Sequence, residues 1–128
     1  MEAEQQSEIT LVDHDGFSGF FEYETMVVRD SKSLAKFYAQ VNKTRKPGLP
    51  VPQIDFSKET VIIVCSGEQK GEMETKLMYK EETDNELVIN VEMQKPEKGS
   101  ATGNSVVSYP FYLYKIPHTS KSVVIQRP

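Results

Sequence analysis

The sequence predicts an α+β fold: a mainly antiparallel, curved β-sheet with one amphipathic helix, at about residues 31–43, packed on it. Three observations predict it. Apolar residues recur at helical spacing in one place, Leu34, Phe37, Tyr38 and Val41, the i, i+3, i+4, i+7 stripe of a helix with one buried face. Met73, Thr75, Leu77 and Tyr79 alternate with Glu74, Lys76 and Lys80, and apolar and polar residues largely alternate over 87–94, the period-2 pattern of half-buried strands. Most strand-like segments follow one another across short turns, which favours antiparallel neighbours over βαβ crossovers.

Residues 1–7 are polar and aperiodic and read as a disordered tail ahead of a single domain over residues 8–128. Residues 9–12 form a short first strand. Asp13-His14-Asp15-Gly16 is a turn. Residues 17–29 are β-branched and aromatic, with Phe17, Phe21, Tyr23, Thr25 and Val27 on one side, and Gly19 marks a bulge or bend within that strand. Asp30 or Ser31 caps the helix, and the basic group Lys43, Arg45, Lys46 complements the negative end of its dipole. Pro47, Pro50 and Pro52 make residues 44–53 an extended connector. Residues 60–66 are apolar on both faces, as a central strand covered from both sides requires.

A hairpin follows. Leu77 and Tyr79 on one arm, and Leu87, Ile89 and Val91 on the other, are separated by Thr83-Asp84-Asn85, whose last two residues tolerate the positive φ of a tight turn. Residues 94–105 read as a polar loop. Residues 106–116 are a strand holding Pro110, which cannot donate to a ladder, so the strand lies at an edge or bulges there. Residues 122–126 close the chain as a short strand.

The 128 residues carry 15 basic and 19 acidic side chains, a net charge of −4. With Lys and Arg dispersed among acids, there is no basic stripe to neutralise phosphates, which argues against nucleic acid as a partner. No apolar run approaches the ~20 residues of a membrane span. A single cysteine, Cys65, excludes an intramolecular disulfide. The start of the chain has neither a basic region nor an apolar stretch, so it reads as a cytoplasmic protein or as one whose export segment has been removed.

Residues that carry chemistry are sparse. His14 between two aspartates lacks ligand spacing and reads as part of a solvated turn, and His118 reads the same way. No nucleophile elbow and no phosphate-cradling glycine loop occurs. The glycine-bounded turn at residues 67–71 has no helix after it. Cys65, inside an apolar run, reads as a buried and inert thiol. The carboxylate pairs Glu72/Glu74 and Glu81/Glu82 read as solvated strand faces. Asn42-Lys43-Thr44 matches a glycosylation sequon. The expectation is a non-enzyme with no cofactor and no metal. One segment stands apart: Tyr109, Phe111 and Leu113 share one strand face, and Pro110, Tyr112 and Tyr114 the other. Tyrosines at a sheet edge suit protein contacts, so Tyr109, Tyr112 and Tyr114 are the candidate partner surface, against the alternative of a core covered on both sides.

Residues 54–125 resemble the C-terminal domain of the protease-complex subunit PrcB family, found in exported bacterial proteins and lipoproteins. The matching pieces are IDFSKETVIIVCSGEQKG at 54–71, ELVINVEMQKP at 86–96 and YPFYLYKIP at 109–117. Glu72 and Met73 stand where family members often carry a Gly-Gly-Tyr-like segment. The resemblance implies an accessory subunit that associates with a protease. It also implies an exported location, periplasmic or as an outer-membrane lipoprotein whose only membrane attachment is a lipid anchor outside this chain. The expected function is a non-catalytic protein-interaction module of the bacterial cell envelope. The alternative is a small-molecule or carbohydrate-binding domain that uses tyrosines on a curved sheet.

Overall fold

The computed structural model describes residues 9–44, 47–70, 74–94 and 107–127. It is α+β and mostly antiparallel, with one α-helix packed on sheet, as expected. The sheet is divided in two, and the layers stack as helix, four-stranded sheet and three-stranded sheet.

The middle layer runs β1 (Thr10–Asp15), β8 (Phe111–Pro117), β3 (Glu59–Ser66), β2 (Tyr23–Val28), all antiparallel. The outer layer runs β5 (Glu74–Glu82), β6 (Glu86–Gln94), β9 (Ser122–Gln126); β5 and β6 are an antiparallel hairpin, while β9 lies parallel to β6. A two-residue pair, β4 (Gln69–Lys70) with β7 (Val107–Ser108), completes the strands of the described residues.

β3 explains the stacking. Its side chains alternate between two cores. Val61, Ile63 and Cys65 meet the helix α1 (Ser31–Val41) through Leu34, Phe37, Tyr38 and Val41. Ile62 and Val64 meet Leu77, Leu87, Ile89 and Val91 of the outer sheet. The unbroken apolar run expected of a central strand is therefore used in full, and all five residues from Val61 to Cys65 are completely buried. β8 behaves alike: Phe111 and Leu113 face the helix, and Tyr114 and Ile116 face the outer sheet.

α1 ends at Val41, and Asn42–Thr44 continue as a 3-10 turn. Asp30 caps its start by accepting from the Ser33 amide at 2.7 Å. Asn42 closes its end: the side-chain Nδ2 donates to the Leu49 carbonyl at 3.0 Å, and Oδ1 accepts from the Leu49 amide at 2.8 Å. Of the basic group expected near this end, Lys43 lies in the 3-10 turn, while Arg45 and Lys46 lie outside the described residues. So do the tail 1–7, residues 71–73 with Gly71, Glu72 and Met73, and residues 95–106 of the loop.

Four local expectations are corrected. β1 extends through Asp15, so His14 is a strand residue opposite Tyr112; a register shift between Leu11 and Asp13 keeps the pairing going where Asp13-His14-Asp15-Gly16 suggested a turn. β2 begins only at Tyr23, because residues 17–22 fold across the end of the sheet. Ser18 is fully buried there, with its amide on the Tyr109 carbonyl at 2.7 Å, and Gly19 takes φ +83°, where a Cβ would lie 3.1 Å from the Gln40 carbonyl oxygen. The hairpin turn uses no positive φ among its described residues; the Thr83 hydroxyl accepts from the amides of Asn85 and Glu86 instead. Finally, β8 is an inner strand. Pro110 lies in the break between β7 and β8, where its missing N–H leaves no gap in the ladder and its carbonyl accepts from the Ser66 amide at 3.0 Å.

One side of the sandwich is closed by cations. Arg127 lies over the Tyr23 ring, 3.7 Å from its centroid. The Arg29 guanidinium donates to the carbonyls of Thr119 and Lys121. These contacts place β2 and β9 together at the same side.

Candidate interaction surfaces

The three tyrosines proposed from sequence go to three different places. Tyr114 is 6% exposed and belongs to the core between the sheets. Its hydroxyl donates to the Thr75 carbonyl at 2.6 Å, which satisfies both groups on burial. Tyr112, on the same face of β8, is half-buried and stacks on His14 across the β1–β8 pair, with centroids 6.1 Å apart and planes inclined by 17°. Tyr109 lies before the Pro110 break, so the β8 alternation does not govern it.

Tyr109 belongs to an aromatic cluster that sequence reasoning did not assemble. The backbone of residues 16–18 runs beside it: the Tyr109 amide donates to the Gly16 carbonyl at 3.0 Å, and the Ser18 amide donates to the Tyr109 carbonyl. This places Phe17 and Phe21 around the Tyr109 ring in edge-to-face contacts, at 6.4 and 5.0 Å between centroids, and 6.2 Å from each other. Edge-to-face packing is the favoured arrangement for such rings. Phe17 is 36% and Phe21 63% exposed. Phe20, between them in sequence, turns inward and stacks on Phe37. The signal in the sequence was the FSGFF run, read there as one strand. The buried serine and the positive-φ glycine are what split its aromatics between core and surface.

A second feature is a cleft of about 470 Å³ at the side of the sandwich opposite the Arg127–Tyr23 contact. Leu11 and His14 from β1, Tyr112 from β8 and Leu77 from β5 line it. Its volume lies within the ~300–1,000 Å³ usual for ligand pockets. Leu11 is 45% exposed at its mouth.

Among the described residues, His14 and Lys76 are the ionisable groups that line the cleft besides its two tyrosines. Among the described residues, no three His, Cys, Asp or Glu side chains are grouped so as to hold a metal. Cys65 faces the helix core; burial pushes its thiol up to about 12, and the nearby Glu24 charge adds to the rise. A thiol held protonated is a poor nucleophile. Burial likewise raises the Tyr38 phenol, which donates to Asp13 at 2.5 Å. His118 lies exposed after β8, with its backbone amide on the Lys58 carbonyl at 2.9 Å. Glu82 is paired with Lys121 at 2.6 Å. The sequon asparagine is Asn42, whose amide nitrogen is already committed to Leu49.

No family model, no curated protein and no solved structure matches the chain.

Proposed function

We infer that this chain is a non-catalytic protein-interaction module. The observation that carries the reading is the cluster of exposed Phe17 and Phe21 packed on half-buried Tyr109. Three aromatic rings held against one another on an ordered backbone present rigid apolar area, and ordering it again on binding costs little side-chain entropy. Such residues dominate the energetic centres of protein interfaces. The buried thiol and the dispersed carboxylates add support, since neither offers an activated group. The resemblance of residues 54–125 to the PrcB family agrees with the same reading. What that resemblance implies is a module of the bacterial cell envelope that serves as an accessory subunit of a protease complex. The small-molecule or carbohydrate alternative rests on the cleft at Tyr112, where His14 takes up one ring face that a sugar would need.

The test is site-specific photocrosslinking in envelope extracts of a bacterium that encodes the chain. A photoreactive phenylalanine at position 21 should trap one discrete partner. The same group at Lys36, on the exposed side of α1, should not. Excess unlabelled protein should compete, and a Phe17→Ser/Tyr109→Ser double variant should compete poorly. Equal labelling at both positions, or competition by the double variant equal to that of the unaltered chain, overturns the reading.

A further inference from the structure

Among the described residues, β9 is the one strand of the two main sheets that pairs in parallel, and β6 is its ladder partner, from Glu86 opposite Ser122 to Asn90 opposite Gln126. A parallel ladder is slightly weaker per residue than an antiparallel one. Val123, Val124 and Ile125 are half-buried, whereas their partners Leu87, Val88 and Ile89 are buried. Polar ties hold the strand at its two ends. Arg127 sits over the Tyr23 ring at one. At the other, Lys121 pairs with Glu82 at 2.6 Å, and the exposed Arg29 guanidinium donates to the carbonyls of Thr119 and Lys121. A strand with half-buried side chains and solvent-facing ties opens at a lower cost than the whole domain.

Residues 118–121 carry the chain from β8 in the middle sheet to β9 in the outer one. Side chains curl this connection. The Thr119 hydroxyl accepts from the Lys121 amide at 3.1 Å, and Arg29 holds two carbonyls, two residues apart, in one planar fork. The Thr119 amide donates to the Thr60 hydroxyl at 3.3 Å. Straightening the connection gives up these bonds. When β9 leaves, β6 loses its parallel partner and the inter-sheet core loses Val123 and Ile125. The segment with the register and the apolar residues to refill that place is β9, from the same chain or from a second copy. Either source makes the same contacts with β6, so the two arrangements differ in the connection and in association. Arg29 acts on the connection, and it favours the curled form.

We propose that β9 exchanges between two copies of this chain, each β6 pairing with the β9 of the other, and that Arg29 is the latch that keeps the strand in its own chain. The partner is thus a second copy, recognised by the same ladder and the same core contacts that β9 makes within one molecule.

Two full-length chains test it, both carrying Cys65→Val, one with Asn90→Cys and the other with Gln126→Cys. These positions face each other in the β6–β9 register, and neighbouring strands about 4.8 Å apart lie within disulfide reach. Neither chain can close a disulfide within itself. Mixed at high concentration, warmed, cooled and oxidised, they should give the mixed disulfide in excess over the two like pairs. Lys36→Cys in place of Asn90→Cys should show no such excess. Arg29→Ala added to both chains should lower the concentration at which half the chains are dimeric by about tenfold, and Arg29→Lys, which keeps the charge without the fork, should act in the same direction. A further measurement uses the unaltered chain and depends on no variant's folding: amide hydrogen exchange should show residues 123–125 opening together, and more readily than residues 61–65. A mixed disulfide no more frequent than the like pairs, or matched by the Lys36→Cys control, overturns the proposal. So does exchange of residues 123–125 only through the global unfolding that exposes residues 61–65. Unchanged dimerisation in a folded Arg29→Ala chain overturns the latch.

Discussion

At Cys65 the fold decides the chemistry. The residue pairs with Glu24 and Phe111 in a strand covered on both faces, and its thiol is held up to about 12 from an ordinary value of 9.0. A group that ionises less readily when folded favours the folded state at pH values below its unfolded pKa. That contribution declines as pH rises from about 9 toward 12, because the unfolded chain releases the proton first. Tyr38, whose phenol is also raised by burial, acts in the same direction from a higher starting point. Stability should therefore fall with rising pH in the alkaline range, and Cys65→Val, which keeps the apolar volume, should reduce the slope between pH 9 and 12. Urea melts across that range measure it; an unchanged slope would show that Cys65 does not contribute. In the native state the thiol should resist alkylation at pH 8 and react once urea unfolds the chain. The burial of Cys65 was legible from the apolar run alone. The stacking of His14 on Tyr112 was not, because it depends on a register set by residues 96 or more positions apart, in the pairing of His14 with Tyr112 and Asp15 with Phe111.

Elements whose signal is local were legible in the sequence. The helix stripe, the Asp30 cap, the two-sided central strand and the 74–94 hairpin arms each follow from a period or a capping side chain within a few residues. Boundaries failed where a long-range contact intervened. Residues 17–22 have strand composition, yet the buried Ser18 bonds to Tyr109 and draws them off the sheet. Pro110 was placed inside a strand because nothing nearby signals that the ladder restarts at Phe111. The connector after the helix is a further case. Its prolines suggested only extension, whereas the Asn42 side chain grips the Leu49 backbone from both sides. A Cβ at Gly48 would approach Asn42 Cγ to 2.9 Å, so the glycine permits the clasp. Asn42→Ala removes two partly buried hydrogen bonds, each worth about 0.5–1.5 kcal/mol, and should lower unfolding free energy by roughly 1–3 kcal/mol. Gly48→Ala should act in the same direction through displacement of the same side chain. Denaturant melts of both variants and the double variant provide the check: if the two acted independently, their effects would add, whereas one shared clasp requires the double variant to lose less than the sum. The same clasp predicts that the Asn42 sequon stays unglycosylated in the folded protein.

At the scale of the molecule, the fold class follows from periodicities, but the division into two facing sheets does not. Alternation shows that one face of each hairpin strand is buried without naming what covers it, and the parallel pairing of β9 with β6 joins residues 36 positions apart. The consequence lies in β3, which supplies one side of each core. A helix-side core and an inter-sheet core that shared no strand could melt separately. Here Ile62 and Ile63 are adjacent, completely buried, and project into opposite cores. Removing either side chain leaves a cavity against the same strand, at a typical cost of about 2–5 kcal/mol, a large part of the ~5–15 kcal/mol that holds a domain together. Ile62→Ala and Ile63→Ala should therefore each shift one common transition. Tyr38 reports on the helix side and Tyr114 on the inter-sheet side, so fluorotyrosine resonances of both should vanish at the same urea concentration in the unaltered chain and in each variant. A variant in which the Tyr114 signal is lost while Tyr38 persists would show that the outer sheet detaches on its own. The middle sheet and helix would then be the folding unit, with the outer sheet a layer docked on it.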